Sequence, residues 1–224
     1  MSEFASEMRL YDPTTHERLY VNTDERERFL AESSKLKKRN QRLLCHVLHW
    51  TGARITEVLE LTPDRIEFDS CSIRFRTIKK RKLTRAGEPK SPQFRNVPVP
   101  AQLLDALDLY FDLRSTQKRR SPALHRPLWA HTKDATKPMP RLTGWRIVTS
   151  VFEAAGIQGP QATPKGFRHG FGVAMILGGM DLNTLQKRLG HENSSTTAIY
   201  TQVLGLDAHQ HQMNVWQRVG GQSI

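Results

Sequence analysis

Apolar residues recur at helical spacing through most of this chain, and the period changes in one stretch. Leu36, Leu43, Leu44, Val47, Leu48 and Trp50 follow a 3.6-residue repeat and predict a helix over residues 36–50. An earlier helix is predicted over residues 23–33, capped by Thr23 or Asn22, with Asp24, Glu25 and Glu27 in its first turn. Thr51-Gly52 breaks the pattern, and a short helix over residues 55–61 ends before Pro63. The period then drops to two. Ile66, Phe68, Ile73, Phe75 and Ile78 alternate with polar residues and read as strand. Phe94, Val97 and Val99 suggest a further strand, and Pro98 and Pro100 mark it as an edge. Between the two lies a long basic loop over residues 79–93, and loops of this length are often functional.

From Ala101 onward the chain reads as helical. Leu103, Leu104, Leu107, Tyr110 and Phe111 give one amphipathic helix, and residues 142–155 give another that stops at Gly156. A third begins near Pro164-Lys165 and ends at Gly178-Gly179. Asp181 caps a fourth through Leu189, closed by Gly190. Ser194 or Ser195 starts the next, which holds Tyr200, and a last helix covers residues 206–219. The fold class is therefore α+β, mostly helical with a small antiparallel sheet. Three segments are expected: an irregular arm over residues 1–20, a domain over 21–203 and a tail helix within 204–224.

Composition narrows the function classes. With 38% hydrophobic and 25% charged residues, the chain can bury a core. Two cysteines, Cys45 and Cys71, cannot make a disulfide framework. No apolar run is long enough to span a bilayer and no signal-like segment opens the chain, so the expected compartment is the cytosol, with no membrane partner. The formal net charge of +12 points to a polyanion, most often nucleic acid. Its distribution is uneven. Residues 1–30 hold seven acids against four arginines, so the arm is not the DNA-binding part. Residues 74–95 hold nine bases and one acid, Glu88. Lys35, Lys37, Lys38, Arg39 and Arg42 form a second cluster, and Arg114, Lys118, Arg119 and Arg120 a third. Each could neutralise phosphates and give salt-sensitive binding.

Individual motifs are commonplace when taken singly. Arg54 follows a glycine break at a helix start, where a guanidinium can reach a phosphate, and Glu57 three residues on could hold the fork in place. Lys165 and Arg168 share one helix face. His169 follows Arg168 directly, so it points elsewhere on that helix. Cys45, His46 and His49 do not form a ligand set, and no P-loop or GxGxxG occurs, so no metal or cofactor is expected.

Together these blocks resemble the tyrosine recombinase (phage integrase) family. The carrying residues are Thr51-Gly52-Ala53-Arg54-Ile55-Thr56-Glu57, then Lys165-Gly166-Phe167-Arg168-His169, then Leu189-Gly190-His191, then Thr197-Ala198-Ile199-Tyr200. Order and spacing agree across four blocks, from about Tyr20 to Val203. The resemblance implies that residues 21–203 are a catalytic domain and that Tyr200 attacks a DNA phosphodiester to form a 3′-phosphotyrosine. Arg54 and Arg168 would neutralise the extra charge of the transition state, and His191 would hydrogen-bond a non-bridging oxygen. Lys79, first after the strand, would protonate the leaving 5′-oxygen, with Lys80 next in line. Where the family usually has histidine, this chain has Lys165, which can still donate to a phosphate oxygen.

Double-stranded DNA is the implied partner, gripped through phosphates by Lys35, Lys37, Lys38, Arg39, Lys80, Arg81, Lys82 and Arg85. The resemblance also implies self-association on DNA as a dimer or tetramer. The tail resembles the family's exchange helix, which docks on a neighbouring protomer. Only about 20 residues precede the match, where the family usually has a further DNA-clamping domain, so an accessory DNA-binding protein could supply the clamp. Two other functions fit parts of the pattern. One is a non-enzymatic regulator that uses residues 178–200 as a helix-turn-helix. The other is a type IB topoisomerase-like enzyme, which shares the chemistry.

Overall fold

The computed structural model describes residues 9–77, 91–190, 199, 200 and 216 of the chain. Eight helices and two small antiparallel sheets make up these residues. Helices α1 (Thr23–Ser34), α2 (Arg39–Thr51) and α3 (Ile55–Leu59) come first. Asn22 caps α1 by accepting from the Glu25 backbone N–H at 2.8 Å, while the Glu25 carboxylate accepts from the Asn22 N–H at 2.8 Å. Helix α2 starts later than its apolar pattern suggests, because Leu36 packs from the preceding turn. It ends on Gly52 in the left-handed region, φ 58°. A Cβ there would lie 2.4 Å from Phe171 Cδ1, so backbone shape and close packing both require glycine.

The first sheet has strands β1 (Ile66–Glu67), β2 (Ser72–Thr77) and β3 (Gln93–Pro98) in that order. Ile73 pairs with Val97, and Phe75 with Arg95. These four residues are buried, whereas Phe94 is exposed. This corrects the apolar set expected for that strand. Phe94 and Val97 are three apart and cannot share a face of a strand, so Val97 decides the parity and Arg95 turns inward.

Helices α4 (Ala101–Phe111), α5 (Leu113–Lys118), α6 (Arg141–Ala154), α7 (Pro164–Leu177) and α8 (Leu182–Leu189) follow. The expectation of helix throughout this half is corrected at one place. Strands β4 (Ala130–His131) and β5 (Asp134–Pro138) form a second hairpin. Its residues are short and mostly polar, so they carry no period-two apolar signal.

The main core lies where α1, α2, α3, α6 and α7 meet the first sheet. Phe29 is central to it, with ring centroids 4.3 Å from Phe167 and 4.8 Å from Phe152. A smaller core holds Leu10, Tyr20, Phe171, Val173, Ile176, Leu185, Leu189 and Tyr200. Leu10 and Tyr20 belong to the expected N-terminal arm, so residues from that arm pack against the segments that carry the candidate chemistry. Among the described residues, no helix is long and apolar enough to cross a membrane.

Candidate active site around Glu57

The site is built outward from one buried carboxylate. Glu57 sits in the first turn of α3 and is 1% exposed. Its Oε2 accepts from the Arg54 backbone N–H at 2.8 Å, and its Oε1 from Arg54 Nη1 at 3.0 Å. Glu57 thus holds both the helix start and the guanidinium, as its spacing suggests. Arg95 approaches from β3 and makes a fork-to-fork pair, Nη2 to Oε2 at 2.6 Å and Nη1 to Oε1 at 3.1 Å. Arg168 Nη1, from α7, stands 3.9 Å from Oε2. Burial works against the Glu57 charge. The hydrogen bond and charge of Arg95, with the charges of Arg168 and Arg54, outweigh burial and hold the carboxyl below its ordinary range.

Arg168 is buried and fixed by two helix ends. Its Nη1 donates to the Gly52 carbonyl at 2.8 Å and its Nη2 to the Leu189 carbonyl at 2.6 Å. These are the C-terminal carbonyls of α2 and α8, where the helix dipoles are negative. Burial, with the neighbouring charge of Arg54, lowers the Arg168 pKa to about 9, so the group remains a cation at neutral pH. Arg95 Nε donates to the Arg188 carbonyl at 2.7 Å, tying β3 to the same end of α8. A Cβ on Gly190 would stand 3.0 Å from Arg95 Cδ, so the glycine after α8 leaves room for this arginine.

Three guanidinium groups therefore surround one carboxylate, with two positive charges in excess. Arg54 keeps 39% of its side chain exposed and spends a single side-chain N–H on Glu57 among the described residues. Its remaining fork can meet an anion, and the buried pair behind it fixes its place.

Tyr200 stands beside this cluster and is 0% exposed. Burial raises its pKa to about 12, with Arg168 and Arg54 pulling the other way. His169 Nδ1 lies 3.3 Å from its hydroxyl. The His169 ring points away from Arg168 as expected, yet that direction brings it onto Tyr200. The adjacent position on a helix turns by about 100°, and Tyr200 approaches α7 on that side. Burial, then Lys165 and Arg168, lower the His169 pKa to about 4. Lys165 is exposed in the first turn of α7, where Thr163 Oγ1 accepts from the Gly166 N–H at 3.0 Å.

The structure thus brings Arg54, Glu57, Arg168 and Tyr200 close to one another and adds Arg95 and His169. Lys79 and His191 lie outside the described residues, as do Lys80, Arg81, Lys82, Arg85 and the tail around Trp216. Lys35, Lys37 and Lys38 are exposed and Arg39 is partly so, at the turn into α2. Lys35 Nζ pairs with Glu32 at 2.6 Å, which leaves Lys37 and Lys38 as the more available cations. Arg114, from the third basic cluster, is already engaged by Asp105 and Asp108 and lies over the Phe68 ring. Cys45 and His49 are buried in the core.

The chain is similar to several known proteins. The chain is 33% identical to tyrosine recombinase XerA of Pyrococcus furiosus over 81% of its own length and 56% of that protein. It is 30% identical to tyrosine recombinase XerD of Listeria innocua over 83% of its length and 58% of that protein. The chain spans about half the length of the curated relatives it matches. Among solved structures, a XerA recombinase superposes with a TM-score of 0.66 at 24% identity, covering 89% of this chain and 65% of that one. The catalytic domain of bacteriophage HP1 integrase superposes with a TM-score of 0.54 at 18% identity, covering 86% of this chain and 93% of that one. The profile of the phage integrase family matches residues 20–205, and the chain belongs to that family.

Proposed function

We propose that this chain is the catalytic part of a site-specific DNA recombinase that cleaves and rejoins strands through Tyr200. One observation carries the reading. Arg54 and Arg168 come from distant segments, yet they meet around the buried Glu57 carboxylate with positive charge in excess, and Tyr200 lies near enough to feel the charge of both. A protein that only binds DNA has no need of Arg54, Arg168, His191 and Tyr200 together.

In this reading the Tyr200 oxygen attacks phosphorus and the bond to the 5′-oxygen breaks, leaving a 3′-phosphotyrosine. Arg54 and Arg168 offset the charge that grows on the non-bridging oxygens. Because both are anchored by Glu57 or by helix-end carbonyls, they need little reorganisation as that charge develops. Lys165 adds a cation one turn before Arg168. Lys79 as general acid and His191 as a donor to phosphate complete the proposed set. The reverse attack by a 5′-hydroxyl, from the same or another strand, restores the diester, so the adduct conserves the bond energy.

Relatives named tyrosine recombinases support this, as do similar folds solved with DNA, XerH bound to difH and the Tn1549 transposon integrase bound to transposon end DNA. The substrate is therefore proposed to be duplex DNA in the cytosol, bound by more than one copy. The domain over residues 21–203 would hold the chemistry, and the tail over 204–224 would contact a neighbouring protomer. The test is recombination between two copies of a candidate site taken from DNA flanking the gene, in buffer without metal. Products with exchanged strands support a recombinase. Relaxation of supercoils without exchange supports the topoisomerase alternative, and specific binding with no strand cleavage supports a regulator.

A further inference from the structure

Glu57 is a competitor as well as an anchor. A carboxylate beside Arg54 and Arg168 attracts the same positive charge that a phosphate requires. The structure shows how that competition is limited. A carboxylate offers about four acceptor positions. On Glu57 they are all occupied. Oε1 accepts from Nη1 of Arg54 and Nη1 of Arg95, and Oε2 accepts from the Arg54 backbone N–H and from Arg95 Nη2. Arg168 fills none of them. Its Nη1 stays 3.9 Å from Oε2 and donates instead to the Gly52 carbonyl at 2.8 Å.

Arg95 makes the difference, because it takes both of the positions that Arg54 leaves and supplies a buried counter-charge. It is not placed to serve a phosphate itself. Its side chain is 7% exposed and all three of its nitrogens are engaged. Nε donates to the Arg188 carbonyl at 2.7 Å, Nη1 to Glu57 and to Thr77 Oγ1 at 3.3 Å, and Nη2 to Glu57. Without Arg95, two acceptor positions on a buried carboxylate would open. Arg168 and the remaining fork of Arg54 are the cations at hand among the described residues.

We propose that Arg95 is a positioning residue for strand cleavage. It saturates Glu57 and so keeps the charge of Arg54 and Arg168 available to the scissile phosphate. This rests on those two arginines acting on a phosphate, as in the function proposed above.

Two experiments test it, the first without any activity. In a crystal structure of Arg95→Met without DNA, Arg168 Nη1 or the second Nη of Arg54 should close to hydrogen-bond distance from Glu57. Both guanidinium groups unmoved overturns the proposal. The second is single-turnover cleavage of nicked duplex carrying either the ordinary scissile phosphate or a methylphosphonate, which lacks the anionic oxygen and so needs less positive charge. On the phosphate, Arg95→Met should be about a hundredfold slower than the wild type, the lower end for loss of one electrostatic donor. On the methylphosphonate the two should agree within about threefold, since the lost charge has less to stabilise. A defect of equal size on both substrates is that of a merely structural residue and overturns the proposal. Combining Glu57→Gln with Arg95→Met removes the anion and its counter-cation together. That protein should cleave the phosphate about tenfold faster than Arg95→Met alone, a coupling expected of residues in contact. A rate no faster overturns the proposal. Should Arg95→Met not fold, Arg95→Lys keeps the charge without the fork, and its defect should again be smaller on the methylphosphonate. A wild type that leaves no adduct on Tyr200, with Arg168 or Arg54 closing on Glu57 in Arg95→Met, sinks the proposed function and not the role of Arg95.

Discussion

Replacing Glu57 with glutamine keeps the size of the side chain and removes the charge that organises three arginines. The carboxylate and Arg95 are both almost fully buried, with side-chain exposures of 0% and 7%, and they share two hydrogen bonds. Removing one partner of such a pair costs about 3–5 kcal/mol, since the other charge is left buried. Glutamine retains one acceptor, which favours the lower end. The Arg54 contact adds little, because that side chain is 39% exposed and the pair is screened. A loss of about 3 kcal/mol lowers Tm by about 6–12 °C in a chain of this size. Urea unfolding by circular dichroism should show a lower midpoint with an unchanged slope. The pH dependence gives a second check. The folded carboxyl is held below its ordinary value of 4.5, so its stabilisation is complete above that pH and is lost as pH falls through the lower, folded value. Glu57→Gln lacks this limb, and the gap between wild type and variant should narrow in acid. A loss under about 1 kcal/mol at neutral pH, comparable to an exposed pair, would refute the clamp.

Other outcomes follow from the same geometry. Lys165→Ala should slow strand cleavage by about a hundredfold, the lower end for loss of one donor to the transition state, while DNA affinity measured by fluorescence anisotropy stays near wild type. Lys37→Ala with Lys38→Ala should flatten the dependence of log affinity on log salt by about 0.9 for each phosphate that is no longer neutralised, and an unchanged slope would place DNA elsewhere. Gly52→Ala forces a side chain into a left-handed residue against Phe171. It should cost about 1–3 kcal/mol in thermal unfolding, the range for backbone strain of this kind.

Much of the site was legible because its residues also follow the local rules of helices. Arg54 and Glu57 are three apart at a helix start, and Asp181 and Gly190 bracket α8 as their residue types require. Arg95 was visible only as one base among many. The inward run of Val97 and Val99 sets its parity, but the apolar Phe94 next to it obscured that signal. Its partner Glu57 lies 38 positions away, a pairing that no local pattern encodes. The contact of His169 depends on where Tyr200 lands, another long-range property. The hairpin of β4 and β5 was missed because its residues are mostly exposed and polar, so burial leaves no period in the sequence.

The most direct measurement is to find which atom holds DNA. The protein is incubated with nicked duplex from the flanking sequence, without metal, then denatured, digested and analysed by mass spectrometry. A nucleotide linked by its 3′-phosphate to the peptide containing Tyr200, with a free 5′-hydroxyl on the other fragment, is the predicted result, and Tyr200→Phe should abolish it while binding persists. An adduct on Tyr11, Tyr20 or Tyr110, or one that survives Tyr200→Phe, would contradict it.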